Sequence, residues 1–548
     1  MDGYLYKETL IDSKDDIIAV DKQDLYVLDQ NSGVYNSIVT FDTSTLSNSG
    51  LYLAYSEAYL EIPFVVSFRS NVDITGPMAT AIGSYVAGLK NGYHNLIDSI
   101  QVDYQNTNVV QQMSFTNFFV NYKLMSTMSP SDVAKWGSTI GFAPDSAGSC
   151  TYSAAASANG LGFANNRDNT TATNLTAVTR YSSPDFANSG FAQRKRQNTG
   201  YNLAGYSGIP AVNALQVAKN YFSADTGAAA ARIYYHVIIA TIRLKDLSDF
   251  FAQIPLVKGG FMRIVLTYNS TQHAITGTAV GTTMTIATTT VRSGRTCPYM
   301  ISSAVADNST NTVIAVGDQT LTIDSGIVRT TQISPSVPLN SCRLYVPGYT
   351  LNPIKEAQLL QSKPVRDVFY NDIYTYSFTN IANNGTFNQL ITNGIANIKY
   401  LVLIPVANIS ATAALVSDAQ SPFSSVPATT APMAALTNFN VLVGGRNVFQ
   451  QNELYDFEAF IQQLSSINAI NGGASTGLTS GLLTSYMFDN AYRYYVADLS
   501  RMSPIEEGVP KSIQVQGTNV SGYALDFICV VVFGRKISID MATGGLVR

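Results

Sequence analysis

The sequence predicts an all-β protein with a few short helices, folded as two consecutive eight-stranded jelly-roll β-sandwiches with large loop insertions in the first. Three observations predict it. The first is a repeat: Asn108-Val-Val-Gln111-Gln112 is echoed 339 positions later by Asn447-Val-Phe-Gln450-Gln451, each after a strand-like run and before a helix-like one. At the same offset Phe115, Phe118, Tyr122 and Met125 align with Leu454, Phe457, Ile461 and Leu464, the spacing of a helix with one buried face. Val102 aligns with Val441, which carries the similarity back into the preceding strand. The second observation is length, since 548 residues exceed the roughly 250 to 300 at which a single core stops growing. The third is texture: short aromatic and β-branched runs separated by Gly, Asn, Pro and Ser.

Taken in order, residues 1–30 read as an N-terminal arm, because Met1 to Asp16 mixes charges and lacks the apolar stretch of a signal peptide. The first sandwich is expected over 31–345. Its strands fall near Ser37 to Thr43, Ala58 to Phe68, Ser99 to Tyr104, Arg232 to Ile242 and Phe261 to Tyr268. Helical segments are expected around Gly83 to Leu89, Ser114 to Met125 and Ser131 to Trp136. Residues 143–209 and 270–335 are poor in charge and rich in Ala, Ser, Thr, Asn and Gly, and are read as excursions from one end of this sandwich. The second sandwich is expected over 346–548. Strands are placed at Val368 to Thr379, Phe387 to Thr392, Ile398 to Pro405, Phe439 to Val443, Ala491 to Asp498, Lys511 to Gln516 and Tyr523 to Ile539. A helix is expected from Asn452 to Ser466, with Asn452 as cap and Glu453 favouring the dipole. About eight strands per block with one helix midway suit a jelly roll better than a barrel or solenoid.

Composition bounds the function. Only 13% of residues are charged, against about 25% in an ordinary soluble domain, and 46% are hydrophobic. A surface of neutral polar groups is cheap to desolvate and suits extensive contact with other copies, because charge is depleted at interface centres. Net charge is −4 with no basic tail, so the footprint of a nucleic-acid binder is missing and strong direct genome binding is not expected. The one compact basic cluster, Arg194-Lys195-Arg196, reads as a solvated loop. No apolar run reaches the length of a membrane-spanning helix. Cys150, Cys297, Cys342 and Cys529 lack the paired spacings of zinc or redox sites and read as free thiols.

Catalytic patterns are sparse, and no catalytic, cofactor or metal residue is assigned. Gly473-Ala-Ser475-Thr-Gly477 matches a nucleophile elbow, but loop-like residues precede it and no histidine follows it. The three histidines are His94, His236 and His273, and His236 sits in an apolar strand run. The carboxylate pairs Glu57 with Glu61 and Glu506 with Glu507 are the candidates for glycoside chemistry, and each reads more simply as a solvated edge or an intersubunit contact. The sole tryptophan, Trp136, reads as core or interface packing.

The C-terminal third carries a resemblance. Tyr494-Tyr-Val-Ala-Asp498-Leu-Ser500-Arg501, Val509-Pro510-Lys511-Ser512-Ile513-Gln514-Val515, Gly517-Thr518-Asn519 and Ile537-Ser-Ile-Asp540 with Thr543-Gly544-Gly545 resemble the end of the major capsid proteins of Polinton-like viruses and virophages, of the adenovirus-like double jelly-roll lineage. The similarity runs more weakly through Pro353 to Val406 and the two repeat segments. It implies a virion protein of a double-stranded DNA virus, a homotrimer forming pseudo-hexagonal capsomers that tile an icosahedral shell. The insertions would form an outer tower, and penton and minor capsid proteins would be partners. An internal membrane is left open. Two other readings stay open from the residues alone: a secreted or virion-associated β-rich adhesin or fibre, and a β-sandwich glycoside hydrolase.

Overall fold

A computed structural model describes residues 18–70, 85–145, 150–152, 163–165, 190, 222–224, 232–277, 284–293, 296–303, 320–327, 341–408, 418–422, 425–430, 434–470, 479–500, 502 and 509–547. Sixteen of the described strands form two sets of eight. The first set is β1 (Ala19–Leu28), β2 (Ile38–Asp42), β3 (Tyr59–Ser70), β4 (Ile97–Tyr104), β5 (Thr107–Val110), β6 (Arg232–Arg243), β7 (Met262–Tyr268) and β8 (Arg343–Leu351). The second is β9 (Val365–Ile381), β10 (Thr386–Ile395), β11 (Ile398–Ala407), β12 (Leu436–Val443), β13 (Arg446–Asn447), β14 (Tyr495–Asp498), β15 (Lys511–Asn519) and β16 (Leu525–Asp540).

All pairings are antiparallel, and their order repeats. In the first half β1-β8-β3-β6 make one sheet and β2-β7-β4-β5 the other. In the second half the orders are β9-β16-β11-β14 and β10-β15-β12-β13. Adding eight to every label of the first half generates the second. The fold is a double jelly roll.

The local reasons are legible. β7 buries every second residue, as a strand with one covered face must. β16 is buried on both faces from Phe527 to Phe533, which explains its unbroken apolar run Ile528-Cys-Val-Val-Val-Phe. A helix follows the fifth strand in each set: α1 (Thr116–Thr127) after β5 and α5 (Phe457–Ile470) after β13. After α1 comes α2 (Pro130–Ile140), opened by a capping box between Ser129 and Asp132 and closed by Gly141 at φ 65°. A side chain at Gly141 would run into the Tyr93 ring at 2.6 Å, so glycine is required there twice over. The short α3 (Asp249–Gln253) lies between β6 and β7. Between the two sets stands α4 (Pro353–Ser362), capped by Asn352.

Several expectations are corrected. The segment Gly83 to Leu89, expected helical, contains the strand Tyr85–Leu89, paired with Tyr299–Ser303; residues 83 and 84 lie outside the described residues. A partner strand 210 residues away decides this, and local pattern does not contain it. Residues 19–28, expected in an arm, form β1, while 1–17 lie outside the described residues. The second repeat helix starts at Phe457, not Asn452. Asp456 caps it, its carboxylate accepting from Ala459 N at 2.9 Å. Asn452 instead accepts from Asn440 Nδ2 at 3.0 Å, and Glu453 bridges to Phe439. The buried stripe of α5 is therefore Phe460, Leu464 and Ile467, with Ile461 half-buried and Leu454 68% exposed ahead of the helix.

Most of 143–209 lies outside the described residues. Within 270–335, Ser270–Gly277, Met284–Ser293 and Thr320–Gly326 extend the first sheet, with Thr320–Gly326 pairing along the far end of β3.

Candidate functional site: a covered sheet face and an open one

The two sandwiches meet along a seam built from the first copy of the sequence repeat. From Thr116 to Met125 only Lys123 of α1 escapes full burial, because the helix is sandwiched between its own half and the outer face of β9-β16-β11-β14. Tyr122 meets the ring of Tyr494 edge-on at 5.2 Å, and Asn121 Nδ2 donates to the carbonyl of Pro427 at 2.9 Å. Phe119 and Lys123 face Ile373, Tyr400 and Val532 around a cleft of about 80 Å³.

Beside α1 the contact is polar. Arg535 on β16 donates to Asp372 Oδ2 at 3.0 Å, to the Val109 carbonyl at 2.9 Å and to the Asn108 carbonyl at 3.0 Å. Tyr370 O–H donates to the same Val109 carbonyl at 2.6 Å, and Gln111 N–H to Asp372 Oδ2 at 3.3 Å. The carboxylate of Asp249 caps the backbone N–H of Asn371 on the edge strand β9 at 2.9 Å. Burial pushes the Asp372 carboxyl upward, and the Arg535 guanidinium acts against it. The repeated motif Asn108–Gln112 is thus the docking segment of the seam.

A second cluster ties the loop at 418–421 to the first half. Lys90 is fully buried, its ammonium donating to the carbonyls of Ser421 at 2.8 Å and Ala419 at 3.4 Å. His273 is fixed as one tautomer: the Gln420 carbonyl at 3.0 Å only accepts, so Nε2 carries the proton and Nδ1 accepts from Tyr299 O–H at 2.6 Å. Burial holds His273 down at about 4 and His94 at about 3, so both rings are neutral near pH 7.

The other sequence candidates scatter. Ser475 with its flanking glycines, Glu506, Glu507 and the Arg194-Lys195-Arg196 cluster lie outside the described residues, as does the side chain of His236. Glu57 pairs with Lys22 at 3.3 Å and accepts from Tyr349 O–H at 2.9 Å, while Glu61 lies on β3. Trp136, expected in core or interface packing, is not in the core: it is 49% exposed on α2, with the Arg243 guanidinium 5.9 Å from its ring centre. Cys297, Cys342 and Cys529 are free and buried. Among the described residues no group of three or more His, Cys, Asp or Glu is placed to hold a metal, and no helix is long and apolar enough to cross a membrane. Sequence reading missed Asp372, Arg535 and Lys90, whose signal was a charge inside or beside an apolar strand run.

Among the described residues the equivalent sheet face of the first half is open. Across β1-β8-β3-β6 the register aligns Tyr26, Tyr345, Tyr59 and Arg243 in one row. Tyr345 stacks on Tyr59 at 4.9 Å and tilts against Tyr26 at 5.8 Å, with Arg343 over the Tyr26 ring and Trp136 at the margin beyond Arg243. In the corresponding row of the second half, Ile373, Val532 and Tyr400 lie against α1, while Asp498 accepts from Ser466 O–H of α5.

No family model and no curated protein matches the chain. Solved structures are similar over nearly its whole length. The Sputnik virophage structure matches at 10% identity over 97% of this chain and 88% of that one, with a TM-score of 0.47. The mavirus major capsid protein matches at 10% identity over 96% and 89%, with a TM-score of 0.45. The Faustovirus major capsid protein matches at 9% identity over 95% and 90%, with a TM-score of 0.41.

Proposed function

We propose that this chain is the major capsid protein of a double-stranded DNA virus, assembling as a trimer whose six sandwiches make a pseudo-hexagonal capsomer of an icosahedral shell. The observation that carries the reading is the strand order, repeated label for label in the two halves of one chain. A duplicated sandwich gives a three-fold assembly six similar walls, so closed symmetry produces a near-hexagonal tile from few distinct interfaces. The low charge supports it, because large contacts between copies then desolvate few ions. The resemblance of Tyr494 to Gly545 to virophage capsid proteins points the same way.

In this reading the protein acts by assembly and carries out no catalysis. On the same reading the sandwiches, expected to divide at 345/346, divide instead at α4; the end of β8 at Leu351 and the start of β9 at Val365 support that placement. The insertions at 143–209 and 270–335 would stand on the outer side of the capsomer, with penton and minor capsid proteins as further partners in the virion. The test is solution mass by light scattering together with negative-stain microscopy of the purified chain. Compact three-chain particles of hexagonal outline, or closed shells, are expected. Monodisperse single chains would overturn the reading, and elongated rods would favour an adhesin.

A further inference from the structure

The repeat is engaged once and left open once. α1 covers the outer face of β9-β16-β11-β14 with Asn108–Gln112 docked beside it, yet among the described residues the second copy of the motif is held only through Val448 and Phe449: Arg446, Asn447 and Gln450 are exposed, Val448 is half-buried where Val109 is fully buried, and among the described residues the carbonyls of Asn447 and Val448 take no side-chain donor. Leu454 is 68% exposed, whereas Phe115, its counterpart in the repeat, is 8% exposed. Among the described residues the face of β1-β8-β3-β6 is left open, with Tyr26 at 54% and Leu28 at 49% exposure. One chain therefore carries a docking segment left mostly unused and an uncovered face of the kind beside which its first copy docks.

We propose that the occupant of the open face is a second copy of this chain, which lays its Arg446–Gln451 segment and the outward side of α5 over the row Tyr26, Tyr345 and Tyr59. The contact would repeat between chains the seam that exists within one. Arg343 on β8 and Tyr26 on β1 offer a guanidinium and a phenol for backbone carbonyls of the motif, the two groups that Arg535 and Tyr370 use within the chain, although those two lie on the side of their strands that Phe378 and Phe527 turn inward. The charges agree. In the repeat alignment Glu458 and Gln462 of α5 stand where Phe119 and Lys123 of α1 face the seam, and both are exposed, so an acidic helix side would meet Arg343. The geometry is heterologous, since each chain offers one surface and receives the other, and such contacts close into a ring or run on without end. The inference rests on the capsid reading for that closure at three chains.

Tyr26→Asp and Leu454→Asp test it, because both side chains are exposed and neither belongs to a core. Each variant alone should weaken association at least about 30-fold, the effect of losing a central interface residue, and shift the three-chain species to single chains in light scattering. Mixing the two variants should yield a two-chain species and nothing larger, because one intact pair of surfaces remains. Three-chain particles of unchanged affinity from both variants would overturn the assignment while leaving the capsid reading standing, whereas single chains from the unaltered protein would remove the capsid reading itself. Hydrogen exchange of the unaltered assembly is independent of variant folding: amides of 19–28 and 446–451 should be protected relative to diluted chains, and equal exchange would overturn the proposal.

Discussion

The sheets β1-β8-β3-β6 and β9-β16-β11-β14 share strand order and helix placement, yet they differ in what lies on their outer faces. The second is covered by α1 over Ile373, Val532 and Tyr400, and its central strand β16 is apolar on both faces, running from Phe527 to Phe533 without an exposed residue. The first is apolar on its inner face alone and carries Tyr26, Tyr59, Tyr345, Arg343 and Glu61 on the other. A strand's composition thus records how many of its faces are covered within the chain, and the difference between equivalent strands locates the contact that the chain itself does not make.

The largest break in the comparison should come from the covered face. Tyr494→Ala removes a fully buried ring from beneath α1 and should cost about 4 kcal/mol in chemical denaturation; a loss below about 1 kcal/mol would mean that the seam is not packed. Next is the polar clamp. Arg535→Met leaves Asp372, whose side chain is 2% exposed, as a buried charge without its cation and should cost about 3 kcal/mol. Arg535→Met combined with Asp372→Asn should cost less than the sum of the two single changes, and strict additivity would show that the two groups do not interact.

Acid should act through the rings of His273 and His94. Their values of about 4 and about 3 lie below the ordinary 6.5, so the unfolded chain binds protons that the folded chain refuses. Stability is full above pH 6.5 and should fall by about 1.4 kcal/mol per ring for each unit below it, down to the folded values. Replacing His273 with Gln should flatten that slope between pH 6.5 and 4; an unchanged slope would clear the ring of any part in it. The smallest effect belongs to the open face: Tyr345→Ala should change the stability of single chains by less than about 1 kcal/mol, and a larger loss would show that this face is already load-carrying within the chain.

Much of this architecture was legible in residue pattern. The longer strands of the second half fall within a few residues of their expected positions because β11 and β16 are long apolar runs and β9 is long and rich in aromatic and β-branched residues. The repeat revealed the duplication but not the seam: that its first copy, Asn108–Gln112, is the segment Arg535 and Tyr370 hold depends on strands more than 250 residues away. What escaped depended on partners distant in sequence. β1 reads Ala-Val-Asp-Lys-Gln-Asp-Leu-Tyr-Val-Leu, too charged for a strand signal, and is held by β8, more than 300 residues on. Asn452 has the chemistry of a helix cap but is taken by Asn440 and Gln516, which leaves capping to Asp456. The open face was invisible because a strand with one polar side looks the same whether water or another protein lies over it.

α4 has a kinetic side. It joins β8 to β9 across Pro353–Ser362, and its Glu356 is held by Lys258 at 3.0 Å and by Tyr52 O–H at 2.8 Å. A short tether keeps its two ends at an effective concentration on the order of millimolar, whatever the concentration of the chain. In the proposed capsomer, half of the walls of the six-sandwich ring would then be made during folding, at a rate indifferent to dilution. Nucleating that proposed ring would become a third-order event instead of a sixth-order one, so scarce newly made chains would close rings that free sandwiches at the same concentration would rarely complete.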